Sequence, residues 1–130
     1  MKYRFVWLAI GWALIILILW LSLIPSPPSP LHFPQADKVE HLFAYGVLMS
    51  WFCQIYHGSR QRLYLMLAFI ALGATIEILQ GLSGYRTAEW GDLLADSLGV
   101  LIGWLLSNTG LQHFLTRFDA KLTLLHDRYH

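Results

Sequence analysis

The amino-acid sequence predicts an all-α membrane protein, a four-transmembrane-helix bundle followed by a C-terminal amphipathic surface helix. Composition is the first observation: 56% of the 130 residues are hydrophobic and 13% are charged, whereas soluble domains carry about 25% charged residues. The second observation is four long apolar runs, the first of which can cross the ~30 Å hydrocarbon core of a bilayer as a helix. The third is the distribution of basic residues, which fits a multi-pass topology. We therefore expect a single membrane domain over residues 1–130.

The apolar runs predict helices at about residues 5–24, 39–56, 63–80 and 92–106. No charged residue interrupts Phe5 to Ile24, and this run is too long for the apolar part of a signal peptide. All five prolines lie within residues 25–36, which therefore form an extended connector. Apolar residues at helical spacing near the C-terminus predict an amphipathic surface helix over about residues 111–127.

The charge distribution predicts that both termini are cytoplasmic. With four spans and a cytoplasmic amino terminus, seven of the nine Lys and Arg residues fall inside, and only Lys38 and Arg86 fall outside. This split satisfies the positive-inside rule. Six of the eight Asp and Glu residues fall outside, so the outer face is rich in carboxylates.

Polar side chains on three predicted helices converge at this outer face. Asp37 and His41 lie one helical turn apart in the second helix, and Asp92 and Asp96 lie one turn apart in the fourth. The third helix contributes an acid and an amide on one face, and small residues allow the helices to approach closely. The candidate functional cluster comprises Asp37, Lys38, His41, Glu77, Gln80, Arg86, Asp92 and Asp96, with Gly73, Gly99 and Gly103 as helix-packing positions.

Purely structural roles compete for several of these residues. Asp37 with Glu40 matches a capping box, Asp92 occupies a helix N-cap position, and Glu89 fits a solvated turn. A lone interior histidine such as His41 is more often hydrogen-bonded structure than a ligand or base.

Glu77 and Asp96 are harder to explain as local structure. Both lie about one turn inside their helices, where a carboxylate costs roughly 2.5–3.5 kcal/mol on insertion scales. They therefore need partners, and Arg86 and Lys38 are the bases on this side. Arg86 is the expected hub of a network that either clasps the bundle or docks a ligand.

The ordered set of motifs resembles the VanZ-like family of integral membrane proteins. The set is Asp37-Lys38-x-x-His41, Glu77-x-x-Gln80, Arg86 with Asp92 six residues later, and Asp92-x-x-x-Asp96-x-x-Gly99. The match covers roughly residues 37–103. The resemblance implies a multi-pass protein of the bacterial cytoplasmic membrane, in a family named for a glycopeptide-resistance protein linked to teicoplanin tolerance. It implies no particular reaction. Asp96 stands where such proteins usually have asparagine.

The expected function is that of an envelope protein whose outer polar cluster binds or docks an envelope ligand and affects teicoplanin tolerance. The alternative is a membrane enzyme or transferase acting on lipid-linked headgroups. In that case Lys38 and Arg86 would hold a phosphate, and Glu77 or His41 would be the general acid or base. A proton-coupled transporter is disfavoured, because transporter sites usually lie near the midplane and no ionisable residue falls at that depth.

Few cofactors or partners are expected. Cys53 is the single cysteine, so it cannot form an internal disulfide and is expected to pack as a small apolar residue. No metal site or cofactor is predicted, although the outer acids allow a divalent cation that bridges a lipid phosphate. The expected partners are the lipid bilayer, lipid headgroups and cell-wall intermediates. The bases expected inside are explained by topology, so nucleic-acid binding is not predicted.

Overall fold

The computed structural model describes residues 2–24, 36–84, 90–109 and 113–129, except the side chains of residues 36 and 37. Within these ranges every regular element is helical, which confirms the all-α class. The helices are α1 (Arg4–Leu23), α2 (Ala36–Ile55), α3 (Ser59–Ser83), α4 (Trp90–Ser107) and α5 (Phe114–Tyr129).

Three helices, α1, α3 and α4, are long and apolar enough to cross a membrane. The side chains of α1 are mostly exposed, with Phe5 85% and both Trp12 and Trp20 59% accessible. Large apolar side chains in this number would be unfavourable against water, and they fit contact with lipid. Helix α2 has 20 residues, but charged residues in its first turns give it a less apolar composition.

Helix α3 is longer than the apolar run from which it was predicted. It begins at Ser59, because the polar segment after Gly58 forms a first helical turn in which Gln61 Oε1 accepts the Gly58 N–H (3.3 Å). It ends at Ser83 and is followed by Gly84, whose φ of 81° is the left-handed conformation that closes many helices. The sequence analysis had predicted that this helix covers about residues 63–80.

Helices α2 and α4 cross in backbone contact. A Cβ atom added at Gly99 would collide with the Leu42 carbonyl oxygen, and one at Gly103 would lie 2.7 Å from the Gly46 carbonyl oxygen. Small residues at such positions let two helices approach closely within a membrane. The structure therefore places the predicted Gly99 and Gly103 motif at the α2–α4 contact.

Helix α2 carries most of the core. Its buried side chains pack with residues of α3 and α4 into one apolar cluster, formed by Tyr45, Leu48, Met49, Phe52, Cys53, Phe69 and Val100. Cys53 is a buried free thiol in this cluster.

The bundle has two polar ends. At one end, here called the His41 end, the start of α2, the end of α3 and the start of α4 meet. At the opposite end, here called the Arg62 end, the end of α2 and the start of α3 meet the end of α4, and α5 packs nearby. Leu115 of α5 packs there with Trp7 and Ile55.

Candidate functional site

A histidine–aspartate pair is the centre of the His41 end. His41 Nδ1 lies 2.8 Å from Asp96 Oδ1, and the two side chains are 18% and 2% exposed. Gly73 on α3 makes room for the carboxylate, because a Cβ atom there would lie 2.7 Å from Asp96 Oδ2. The close crossing of α2 and α4 thus brings together two residues that are 55 positions apart.

A second ion pair lies at the same end. Lys38 Nζ is 3.5 Å from Asp92 Oδ1, with side chains 29% and 9% exposed. Both pairs join the first turns of α2 to the first turns of α4. The basic partners are the more accessible members, and the carboxylates lie behind them.

Helix α3 adds two buried polar residues to this end. Gln80 Nε2 donates a hydrogen bond to the Ser22 carbonyl oxygen (2.8 Å), which ties α3 to the end of α1. Glu77 is 3% exposed and lies near both His41 and Tyr45. Asp92 also lies near His41. The structure therefore gathers polar groups from α2, α3 and α4 around the imidazole.

Among the described residues, Asp96 pairs with His41, and Lys38 pairs with Asp92. The sequence analysis had offered Arg86 and Lys38 as partners for the inner carboxylates and had not assigned His41 to Asp96. Both His41 and Asp96 lie beside the glycine crossing, where the helix axes are closest. Arg86 and the side chain of Asp37 lie outside the described residues, so the role of Arg86 as a hub stays a prediction.

The Arg62 end contains a buried arginine that the sequence interpretation counted only as a topological charge. Arg62 is 4% exposed. Its Nε and Nη2 donate to the carbonyl oxygens of Tyr56 (2.9 Å) and Cys53 (2.8 Å), and Nη1 donates to Asn108 Oδ1 (2.9 Å). The last carbonyls of a helix lack partners within that helix, so Arg62 completes the end of α2 and links it to the end of α4.

Asp119 of α5 is a second buried polar residue at the Arg62 end. Its carboxylate accepts the backbone N–H groups of Lys2 and Tyr3 (both 2.9 Å) and the indole N–H of Trp7 (2.7 Å). Burial by itself would raise the pKa of Asp119, but these hydrogen bonds lower that pKa below its ordinary value. Asp119 lies on the same helical stripe as Leu115, and an acid on an apolar stripe is the signal that could have identified it.

The chemistry of the His41 end follows from its accessibility. When Asp96 is ionised it can only accept, so His41 Nδ1 is the donor and Nε2 is the nitrogen available for proton transfer. Lys38 and His41 are the more accessible groups, and both can carry positive charge towards an anionic ligand. Among the described residues, no three His, Cys, Asp or Glu side chains form a group that could hold a metal ion.

Comparisons with known proteins give one family and one relative. The sequence profile of the VanZ/LLP1 family matches residues 21–111. An uncharacterized protein of the fission yeast Schizosaccharomyces pombe is 31% identical over 103 residues, which cover 77% of this chain and 61% of that protein. The chain thus spans about three fifths of the length of this relative. No solved structure matches the chain.

Proposed function

Because the chain belongs to the VanZ/LLP1 family, we propose that it is an integral membrane protein of the cell envelope whose His41 end docks an anionic envelope ligand. The 2.8 Å pair between His41 and Asp96 carries this proposal. A carboxylate inside a membrane helix costs roughly 2.5–3.5 kcal/mol. A ligand-binding role would account for this cost, because the buried Asp96 carboxylate would position the partly accessible imidazole of His41 for the ligand.

The ligand chemistry follows from the two accessible bases. Lys38 and His41 lie three residues apart on α2, so their side chains lie on the same face of the helix. Asp92 and Asp96 lie behind them and orient them. An ammonium and an imidazolium held in this way suit a phosphate, and the proposed ligand is the phosphate-bearing headgroup of a lipid-linked cell-wall intermediate.

An effect on teicoplanin tolerance is the phenotype that we propose for this docking. A protein that binds such a headgroup at the outer leaflet would compete with a glycopeptide for cell-wall intermediates.

Teicoplanin susceptibility in isogenic bacterial strains tests the proposal. Expression of the wild-type chain should raise the minimal inhibitory concentration, and Lys38→Gln and His41→Gln should each remove most of that increase. The matched controls are Lys121→Gln and His126→Gln on α5. They remove an ammonium group and an imidazole ring, respectively, at the opposite end of the bundle. Equal loss in test and control variants at equal protein levels would contradict docking at the His41 end.

The alternative function is a membrane enzyme or transferase that acts on lipid-linked headgroups. The observation that favours it is again the carboxylate-backed imidazole, an arrangement in which the carboxylate orients a histidine that acts as a general base. Glu77 is the second candidate acid or base. Turnover of a polyprenyl diphosphate-linked sugar by the purified protein would support this alternative, provided that His41→Gln abolishes turnover while binding persists.

We also propose the finer topology. Helix α2 would be a fourth span, because its 20 residues extend about 30 Å along the helix axis. It also packs closely against α4, which is itself a candidate span. Helix α5 would then lie at the cytoplasmic surface of the bacterial inner membrane, with both termini inside.

The proposed function needs no cofactor, so ligand binding should persist in the presence of a chelator. A requirement for divalent ions would instead favour a cation that bridges the outer acids and the ligand.

A further inference from the structure

Arg62 has a buried positive charge that no acidic side chain neutralises within the part of the chain that the structure describes. Its three hydrogen-bond acceptors are the carbonyl oxygens of Cys53 and Tyr56 and the amide oxygen of Asn108, all of them neutral groups. Among the described residues no carboxylate forms an ion pair with it. The carboxyl end of the α2 dipole offsets part of the charge. A buried guanidinium carries five N–H donors, so it retains capacity for an anion.

A pocket of about 360 Å³ adjoins this guanidinium between α3 and α4. The pocket is lined by the polar residues His57, Ser59, Arg62 and Asn108 and the apolar residues Leu63, Met66 and Trp104. The polar residues lie where α3 begins and α4 ends. Met66 and Trp104 lie further along the same helices, and Met66 is seven residues beyond Ser59, or about 10 Å along α3.

We propose that this pocket binds the phosphate of an anionic phospholipid at the Arg62 end, with part of an acyl chain against Met66 and Trp104. The polar part offers a buried guanidinium, a hydroxyl and an imidazole to the phosphate. The first turn of α3 adds the positive end of a helix dipole, which favours anions. The step from polar to apolar lining along the helices matches the order of headgroup and acyl chain in a lipid.

This site is independent of the docking proposed at the His41 end. The two sites lie at opposite ends of the bundle and share no residue. If the amino terminus is cytoplasmic, the lipid belongs to the cytoplasmic leaflet.

Binding is tested first with the wild-type chain in detergent micelles. The probes are palmitoyl-oleoyl phosphatidylglycerol, the zwitterionic phosphatidylcholine with the same chains, and inorganic phosphate. We expect native mass spectrometry to show retention of phosphatidylglycerol in preference to phosphatidylcholine, and phosphatidylglycerol to raise the melting temperature more than either other probe. Equal retention of the two lipids would overturn the proposal. Stabilisation by inorganic phosphate equal to that by phosphatidylglycerol would identify a soluble anion as the ligand and would also overturn it.

A pair of charge variants then locates the lipid. Ser59→Glu places a carboxylate in the polar part of the pocket, whereas Gln61→Glu places one in the same helical turn at a position that does not line it. Both variants put an acid in the first turn of α3, where it is favourable for the helix. Ser59→Glu should weaken the affinity for phosphatidylglycerol by about tenfold or more, or about 1.4 kcal/mol, and Gln61→Glu should change it little. Equal affinities in the two variants would overturn the assignment of this pocket.

Discussion

Replacing Asp96 tests how the His41 end is held together. Asparagine has nearly the same shape as aspartate, so Asp96→Asn fits beside Gly73 and retains an oxygen that can accept the His41 N–H. Leucine is larger than aspartate and offers no acceptor. The two variants therefore separate the hydrogen bond from the charge.

The expected magnitudes follow from the burial and distance of the pair. A hydrogen bond to a charged group contributes about 1.5–3 kcal/mol and a neutral one about 0.5–1.5 kcal/mol, so Asp96→Asn weakens the contact by about 1 kcal/mol. The change also removes a buried charge, and we expect the two effects to leave the stability within about 1 kcal/mol of wild type. Asp96→Leu leaves the imidazole without its acceptor, which costs about 1–3 kcal/mol, and crowds the backbone at Gly73.

The assay is thermal unfolding in detergent at a fixed heating rate. A change of 1 kcal/mol corresponds to a shift of about 4 °C for a chain of this size, so Asp96→Asn should melt within about 4 °C of wild type and Asp96→Leu clearly lower. Teicoplanin tolerance measured in parallel should survive in the asparagine variant. An Asp96→Asn protein that is as unstable as the leucine variant would show that the carboxylate charge is essential and would refute the reasoning.

Three further predictions concern packing, acid stability and topology. Gly99→Ala should strongly lower the melting temperature, because the new Cβ would collide with the Leu42 carbonyl oxygen. Gly46→Ala should lower it less, because the new Cβ would lie 3.4 Å from the Gly99 carbonyl oxygen. Equal effects of the two substitutions would show that the α2–α4 crossing is looser than described. The pKa of Asp119 is lower in the folded protein than in the unfolded chain, so the ionised carboxylate stabilises the fold. This stabilisation is complete above about pH 3.9, the pKa of an unfolded aspartate, and is lost as the pH falls through the lower pKa of the folded protein. The stability of Asp119→Asn should therefore differ most from wild type near neutral pH and converge with it in acid. Asp127→Asn, at an exposed position, is the control. A difference in stability between Asp119→Asn and wild type that does not depend on pH would contradict this. Alkaline phosphatase fused after residue 130 should be inactive and a fusion near residue 87 active, and an active C-terminal fusion would overturn the proposed topology.

Several features could be predicted from the sequence because they depend on local composition. The apolar runs predict helices, since each run is long and predominantly apolar, and the structure has a helix over each. The ordered motifs on successive helix ends were sufficient to predict the family. Gly99 and Gly103 could be identified as packing positions because their spacing of four places them on one helix face. The boundaries of α3 were less predictable, because its first turn is polar and depends on contacts made at the Gly58 cap.

The tertiary structure alone decided which polar groups meet. Helical periodicity assigns Asp96 to a face of α4 but does not say whether α2 or α3 lies against that face, or in which register. His41 is its partner because the glycine crossing brings the α2 and α4 backbones into contact. Arg62 looked like an ordinary charge at a cytoplasmic surface, and packing showed it to be buried. The physical reason is that hydrogen bonds at the ends of helices depend on distances between segments that are remote in the chain, and these distances exist only once the bundle is assembled.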